Sequence, residues 1–154
     1  MKIDKIDEKI LTLLQSDGRL PASHIAEKLD ISIPTVTERI KKLQDTEIIE
    51  GFHASLNPKQ LGLDVSALIT VISESSLQYK DFTAAAEKSS EIVQCFSTTG
   101  RGSHTLLVIT RNSQSLEELL RKIQSWPGVA RTETQIILSS FKSIQNVPIP
   151  ENNN

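Results

Sequence analysis

One stretch, Ser32–Leu43 (SIPTVTERIKKL), limits the folds open to this chain more than any other. Ile33, Val36, Ile40 and Leu43 recur at spacings of 3, 4 and 3, which places them on one face of an α-helix. Pro34, Thr35, Glu38, Lys41 and Lys42 fall on the opposite face, with Thr37 and Arg39 on its flanks. Ser32 can cap the first turn, and Pro34 is tolerated there because that turn has no intrahelical N–H partner to lose. The stretch therefore predicts a short helix that presents hydroxyls and cations outward from an apolar seat.

What precedes it narrows its role. Residues 4–15 predict a first helix, with Asp4 as N-cap and Asp7 and Glu8 near its positive end. Ile6, Ile10, Leu13 and Leu14 form its core stripe, and Gly18 suits a left-handed cap after it. Residues 21–29 predict a second, short helix that begins at Pro21. Ala22, Ile25, Ala26 and Leu29 face inward, and His24 is expected at the surface. Asp30-Ile31-Ser32 is then a three-residue turn between two short helices, the helix-turn-helix pattern. That motif needs small residues where its helices cross, an apolar turn residue, and short polar side chains at the start of the outward helix. Ala22, Ala26, Ile31, Ser32 and Thr35 supply them.

Glu47–Ala54 alternates weakly and would make either a small wing or an extended exit. Leu56–Leu63 is turn-rich and reads as a linker, which puts the domain boundary near residues 56–63. Beyond it the pattern changes. Asp64–Ser73 reads as a strand, Lys80–Ser90 as a helix and Ile92–Thr99 as a strand. Gly100–Ser103 is a tight loop, and His104–Arg111 is a third strand. Ser115–Trp126 is a helix with a Ser115/Glu118 capping box, stopped by Pro127-Gly128. Val129–Phe141 is the last strand. The order is β-α-β-β-α-β, the ferredoxin-like arrangement, so the fold class is α+β. Helices on one face leave the other face of the sheet to be covered, which predicts dimerisation through it. The expected divisions are 1–55, a linker over 56–63, 64–142, and a tail over 143–154 whose Pro148–Asn154 end is frayed and polar.

Charge then constrains any partner. The 154 residues carry a net charge of −2, and residues 1–50 hold 8 basic against 10 acidic side chains. Pro34–Leu43 alone has three cations, Arg39, Lys41 and Lys42, against Glu38. A DNA contact must therefore rely on this local patch and on a second copy of it, with half-sites about 34–36 Å apart. Cys95 is the one cysteine and is expected to be a buried small hydrophobe. No disulfide, metal site or cofactor is implied. No h-region and no run of 18 apolar residues appears, so a cytoplasmic protein without membrane contact is expected, nucleoid-associated where it binds DNA.

The segments LPASHIAEKLDISIPTVTERIKKLQ, IIEGFHASLNPKQLGL, STTGRGSHTLLVI and WPGVARTETQIILSSFK, in this order, resemble the Lrp/AsnC family of feast/famine transcriptional regulators over about residues 3–142. The resemblance implies an N-terminal winged helix-turn-helix joined to a C-terminal ligand-sensing domain. It also implies pairing through the C-terminal sheets and assembly of dimers into octamers or other rings. Effectors, mostly amino acids, are implied between dimers near the loop joining the second and third strands. Ser32, Pro34, Thr35, Thr37, Glu38, Lys41 and Lys42 would then form the DNA-reading face. Arg39 would meet phosphate or pack at the helix edge. Thr98, Thr99, Gly100, Arg101, Gly102, Ser103 and His104 would line the effector site.

Two positions depart from the family pattern. Glu47 stands where a glycine usually precedes Ile48-Ile49; if φ is positive there, Glu47 costs roughly 1 kcal/mol. Ser103 stands where an aspartate could pair with an α-ammonium, and it can exchange only neutral hydrogen bonds. Arg101 and His104 instead favour an anionic group. Catalysis is not expected. Glu117 and Glu118 are consecutive on a helix and point about 100° apart, and Gly100-x-Gly102 lacks the third glycine and following helix of a phosphate loop. The alternative is a ligand-binding or assembly module without DNA contact, against which Lys41 and Lys42 argue.

Overall fold

The computed structural model describes residues 3–142 and 147–150, which divide into two compact units. One holds the chain up to Ser55 together with Lys142 and residues 147–150; the other is Leu56–Phe141.

Three helices build the first unit: α1 (Lys5–Ser16), α2 (Ala22–Leu29) and α3 (Ile33–Asp45). Their apolar stripes close on one core of Ile10, Leu11, Ile25, Ala26, Val36 and Leu43. Asp4 caps α1 by accepting from the Ile6 and Asp7 amides, and the Asp7 carboxylate returns the bond to the Asp4 amide. The turn between α2 and α3 is made by Asp30 at φ 54°, a left-handed conformation that aspartate tolerates better than most residues. Its amide and that of Ile31 reach back to the Glu27 and Ala26 carbonyls, which closes α2. Pro21 stands at the N-cap of α2, and Ser32 caps α3 by accepting from the Thr35 amide.

Several details differ from the sequence-based expectation. Gly18 is not left-handed; α1 ends on Asp17 in an extended conformation, and Gly18 instead lets the Phe52 ring approach. Ile33 is 50% exposed, because α3 begins there and its first turn projects past the core. Residues 47–54 pair into no strand: the chain leaves α3 through a turn at Glu47 and bends at Ile48 and Ile49 into irregular structure. Residues 147–150 are not frayed. The Gln15 side-chain amide bonds both polar atoms of the Val147 backbone, and Ile149 packs on the helical core. The rest of the expected tail, residues 143–146 and 151–154, lies outside the described residues.

The second unit is a four-stranded antiparallel sheet in the order β2-β3-β1-β4, from β1 (Val65–Ser73), β2 (Ile92–Ser97), β3 (His104–Thr110) and β4 (Val129–Ile136). Two helices, α4 (Tyr79–Glu87) and α5 (Ser113–Gln124), complete the β-α-β-β-α-β order. Ala67, Ile69, Val71, Leu106 and Val108 point to the helices and pack with Phe82, Leu116, Leu119 and Ile123. Strand alternation turns Leu68, Ile72, Leu107 and Ile109 to the other face, with Phe96 beside them on β2.

α5 starts two residues before the expected Ser115, and its capping box joins Asn112 with Ser115, not Ser115 with Glu118. Glu118 accepts from Gln114 instead. β2 stops at Ser97 and β4 at Ile136, so Leu138 and Phe141 lie exposed beyond the ladder. Cys95 is exposed, since β2 is an edge strand with a neighbour on one side only. Among the described residues no helix is long and apolar enough to cross a membrane, and no cluster of three His, Cys, Asp or Glu could hold a metal ion.

Candidate DNA-binding face and sensing loop

The capping of α3 decides what it shows to a partner. Ser32, Pro34, Thr37, Glu38, Lys41 and Lys42 are exposed, and Thr35 and Arg39 are half-buried. The Ser32 and Thr35 hydroxyls lie 2.7 Å apart, and the Thr37 hydroxyl donates to the Ile33 carbonyl at 3.0 Å. The first turn is thus low and polar, which lets a helix approach a groove about 12 Å wide closely. Lys41 and Lys42 stand one to two turns further along and carry the cationic charge of this face.

Arg39 is placed differently. Its Nη1 donates to Asp4 Oδ2 at 2.6 Å and to Asp7 Oδ1 at 2.8 Å, both at the start of α1. The Asp7 side chain is only 6% exposed. The Asp7 amide, then the guanidinium, holds the Asp4 carboxyl below its ordinary range, against the opposing effect of burial. Hydrogen bonds to Asp4 and Asp7 raise the guanidinium in turn. Of the two expected roles of Arg39, this geometry is that of helix-edge packing.

The α3 exit carries strain. Glu47 adopts φ 57°, its amide bonds the Gln44 carbonyl, and the Ile48 amide bonds the Leu43 carbonyl. This is the paired closure that usually places glycine at the left-handed residue.

In the second unit, residues 98–103 join β2 to β3. The Thr98 amide bonds the Ser103 carbonyl at 3.0 Å, which closes the loop. Thr98, Thr99, Gly100 and Arg101 are exposed, Gly102 and Ser103 half-buried. Gly100 has φ 108° with open space about it. Gly102 lies so close to β1 that an added β-carbon would collide with Thr70 Cγ2 and stand 2.9 Å from the Val71 carbonyl oxygen. Ser103 is tied in as well: its amide donates to the Val71 carbonyl, and its hydroxyl lies 2.6 Å from the Ser73 hydroxyl and 2.9 Å from His104 Nδ1.

His104 does not belong with the exposed loop residues. It is buried on the helix side of β3, edge-on to Tyr79 at 4.7 Å and tilted against Phe82 at 4.7 Å. Burial holds its pKa below the ordinary value, so it is neutral at pH 7 and does not attract an anion. Arg101 remains as the exposed cation of the loop, 3.3 Å from Glu133 on β4, which Arg131 also approaches at 3.3 Å.

The family model for the Lrp/AsnC ligand binding domain matches residues 64–147, and that for a winged helix-turn-helix DNA-binding domain matches residues 3–50. The chain belongs to the Lrp/AsnC family. Among its relatives, the HTH-type transcriptional regulator FL11 of Pyrococcus horikoshii is 35% identical over 96% of this chain and 97% of its own length. The structure of Escherichia coli AsnC superposes with a TM-score of 0.87 at 31% identity, covering 95% of this chain and 100% of that one. The feast or famine regulatory protein of Mycobacterium tuberculosis, solved complexed with L-methionine, superposes with a TM-score of 0.89 at 31% identity over 95% of this chain and 99% of its own. These relatives are regulators rather than enzymes, in keeping with the absence of a catalytic constellation in the sequence.

In this Lrp/AsnC chain both family departures have a structural counterpart. Glu47 does occupy a left-handed position, and the Ser103 hydroxyl is already bonded to the sheet through Ser73. Sequence reasoning missed Asp4 and Asp7 as partners of Arg39, and Ser73, Tyr79 and Glu133 as neighbours of the loop. For Asp4 and Asp7 no signal was available, since 35 and 32 residues separate them from Arg39. For His104 there was one. It shares strand parity with Leu106 and Val108, so the inward set already contained it.

Proposed function

We propose that the chain is a sequence-specific, DNA-binding transcriptional regulator of the Lrp/AsnC type, which reads duplex DNA with α3 and responds to an amino acid or related small molecule. The observation that carries this reading is the exposed face of Ser32, Pro34, Thr37, Glu38, Lys41 and Lys42 on the second helix of a helix-turn-helix. Residues 1–55 would form the DNA-reading part, 56–63 the connection, and 64–142 the sensing and assembly part. The effector would meet the loop from Thr98 to Ser103, exposed from Thr98 to Arg101; a relative solved with L-methionine supports an amino acid as its class. The open sheet face of Leu68, Ile72, Leu107 and Ile109 supports a homodimer, and dimers would assemble to an octamer between which the effector binds. Acting on promoter DNA, the protein would work in the cytoplasm at the nucleoid.

A gel-shift titration on the duplex upstream of its own gene, with and without each of the twenty amino acids, tests the reading. The full chain shifts this duplex in a salt-sensitive way, and one amino acid alters the midpoint. Lys41→Ala with Lys42→Ala weakens the shift and preserves the oligomer. No salt-sensitive shift at any protein concentration overturns the DNA-binding reading, and an unchanged midpoint with all twenty overturns the amino-acid response.

A further inference from the structure

The charge of Arg39 is already engaged within the fold. Its Nη1 bridges Asp4 and Asp7, the two carboxylates of the α1 capping box, at 2.6 and 2.8 Å. The Asp7 side chain is buried to within 6%, and that of Arg39 is 27% exposed. On α3, Val36, Ile40 and Leu43 face the core, and Arg39 stands at the margin of that face. At 100° per residue Lys41 points about 160° away from Arg39 around the helix axis. An anchor at Arg39 therefore fixes the rotation of α3 about its own axis, and with it the direction in which Lys41, Pro34 and Thr37 project.

From this geometry we infer that Arg39 is a positioning residue for DNA recognition: tied to Asp4 and Asp7, it orients the reading face of α3 and neutralises no phosphate. The inference rests on the reading that α3 faces DNA. It ties the start of α1 to recognition, since the same two carboxylates that cap α1 hold the recognition helix. It also leaves Lys41 and Lys42 as the cations of this helix available to phosphates, in a unit that carries more acid than base.

The salt dependence of DNA affinity separates orientation from charge. Each phosphate neutralised contributes about 0.9 to the slope of log K against log salt. The full chain is titrated against the duplex upstream of its gene over a range of KCl concentrations, well below its melting temperature. Arg39→Gln weakens binding about tenfold, the size of one charge-assisted hydrogen bond. Its slope matches that of the unaltered chain, whereas Lys41→Ala flattens the slope. Should Arg39→Gln fail to fold, Asp4→Asn carries the test, because asparagine caps a helix as well as aspartate does. Removing that carboxylate would tighten DNA binding if charge alone mattered; the positioning role makes binding weaker. A flattened slope or unchanged affinity for Arg39→Gln overturns the inference, as does tighter binding by Asp4→Asn. Failure of the unaltered chain to bind is a separate result, which overturns the DNA-binding reading itself.

Discussion

At Glu47 the backbone takes φ 57°, where a β-carbon crowds the carbonyl oxygen that follows. The strain is local and removable. Glu47→Gly should stabilise the helical unit by about 1 kcal/mol, seen as a higher denaturant midpoint, whereas Glu47→Ala keeps the β-carbon and should not. An equal gain from both would contradict the strain. His104 makes a different prediction. Its folded pKa lies below the ordinary value of 6.5, because burial against Tyr79 and Phe82 penalises the charged ring. The unfolded chain thus takes up a proton that the folded unit refuses. The associated stability is fully present above pH 6.5 and is lost as pH falls from there towards the lowered folded pKa. Melting temperatures of the full chain should drop over that window, and His104→Gln should reduce the drop; an identical pH profile would contradict it. The Glu47 position was legible through the family's glycine. His104 was misplaced because its nearness to Gly100–Ser103 in sequence outweighed its strand parity.

Among elements, α3 was the most legible, since a 3-4-3 apolar spacing and a serine cap both pointed to one helix. The end of the sheet was less so. Thr132, Thr134 and Ile136 alternate as expected, but the same alternation runs on through Leu138 although the ladder stops at Ile136. Alternation records which face a residue would take and not whether a partner strand is there to pair. At the start of α5, Asn112-x-x-Ser115 and Ser115-x-x-Glu118 both satisfy the spacing of a capping box, and only the backbone selects the first. The open face of the sheet carries a prediction of its own. Leu107 lies near its middle, between Leu68 on β1 and Gln94 on β2. Leu107→Glu places a charge there that a dimer would have to bury unpaired, a cost well above that of an exposed substitution. The unaltered chain should sediment as a dimer or larger, and the variant towards the 17.1 kDa monomer. Equal masses for the two would rule out this face as the contact.

Over the whole molecule, two units with separate cores follow from two patterns in the sequence, helical spacing up to Leu43 and strand alternation after Asp64. What sequence could not supply was the pairing of distant charges. The link from Arg39 to Asp4 and Asp7 turns a candidate phosphate contact into a brace, and it leaves a chain of net charge −2 with a small cationic face. Under the proposed reading such a face acts together with a second copy at a fixed spacing. Hydroxyl-radical footprinting of the full chain on the duplex upstream of its gene tests this most directly. Two protected patches on one side of the duplex, centred about one helical turn or roughly 34–36 Å apart and absent with Lys41→Ala and Lys42→Ala, are the predicted result. A single patch, or protection that survives loss of both lysines, would contradict recognition by paired copies of α3.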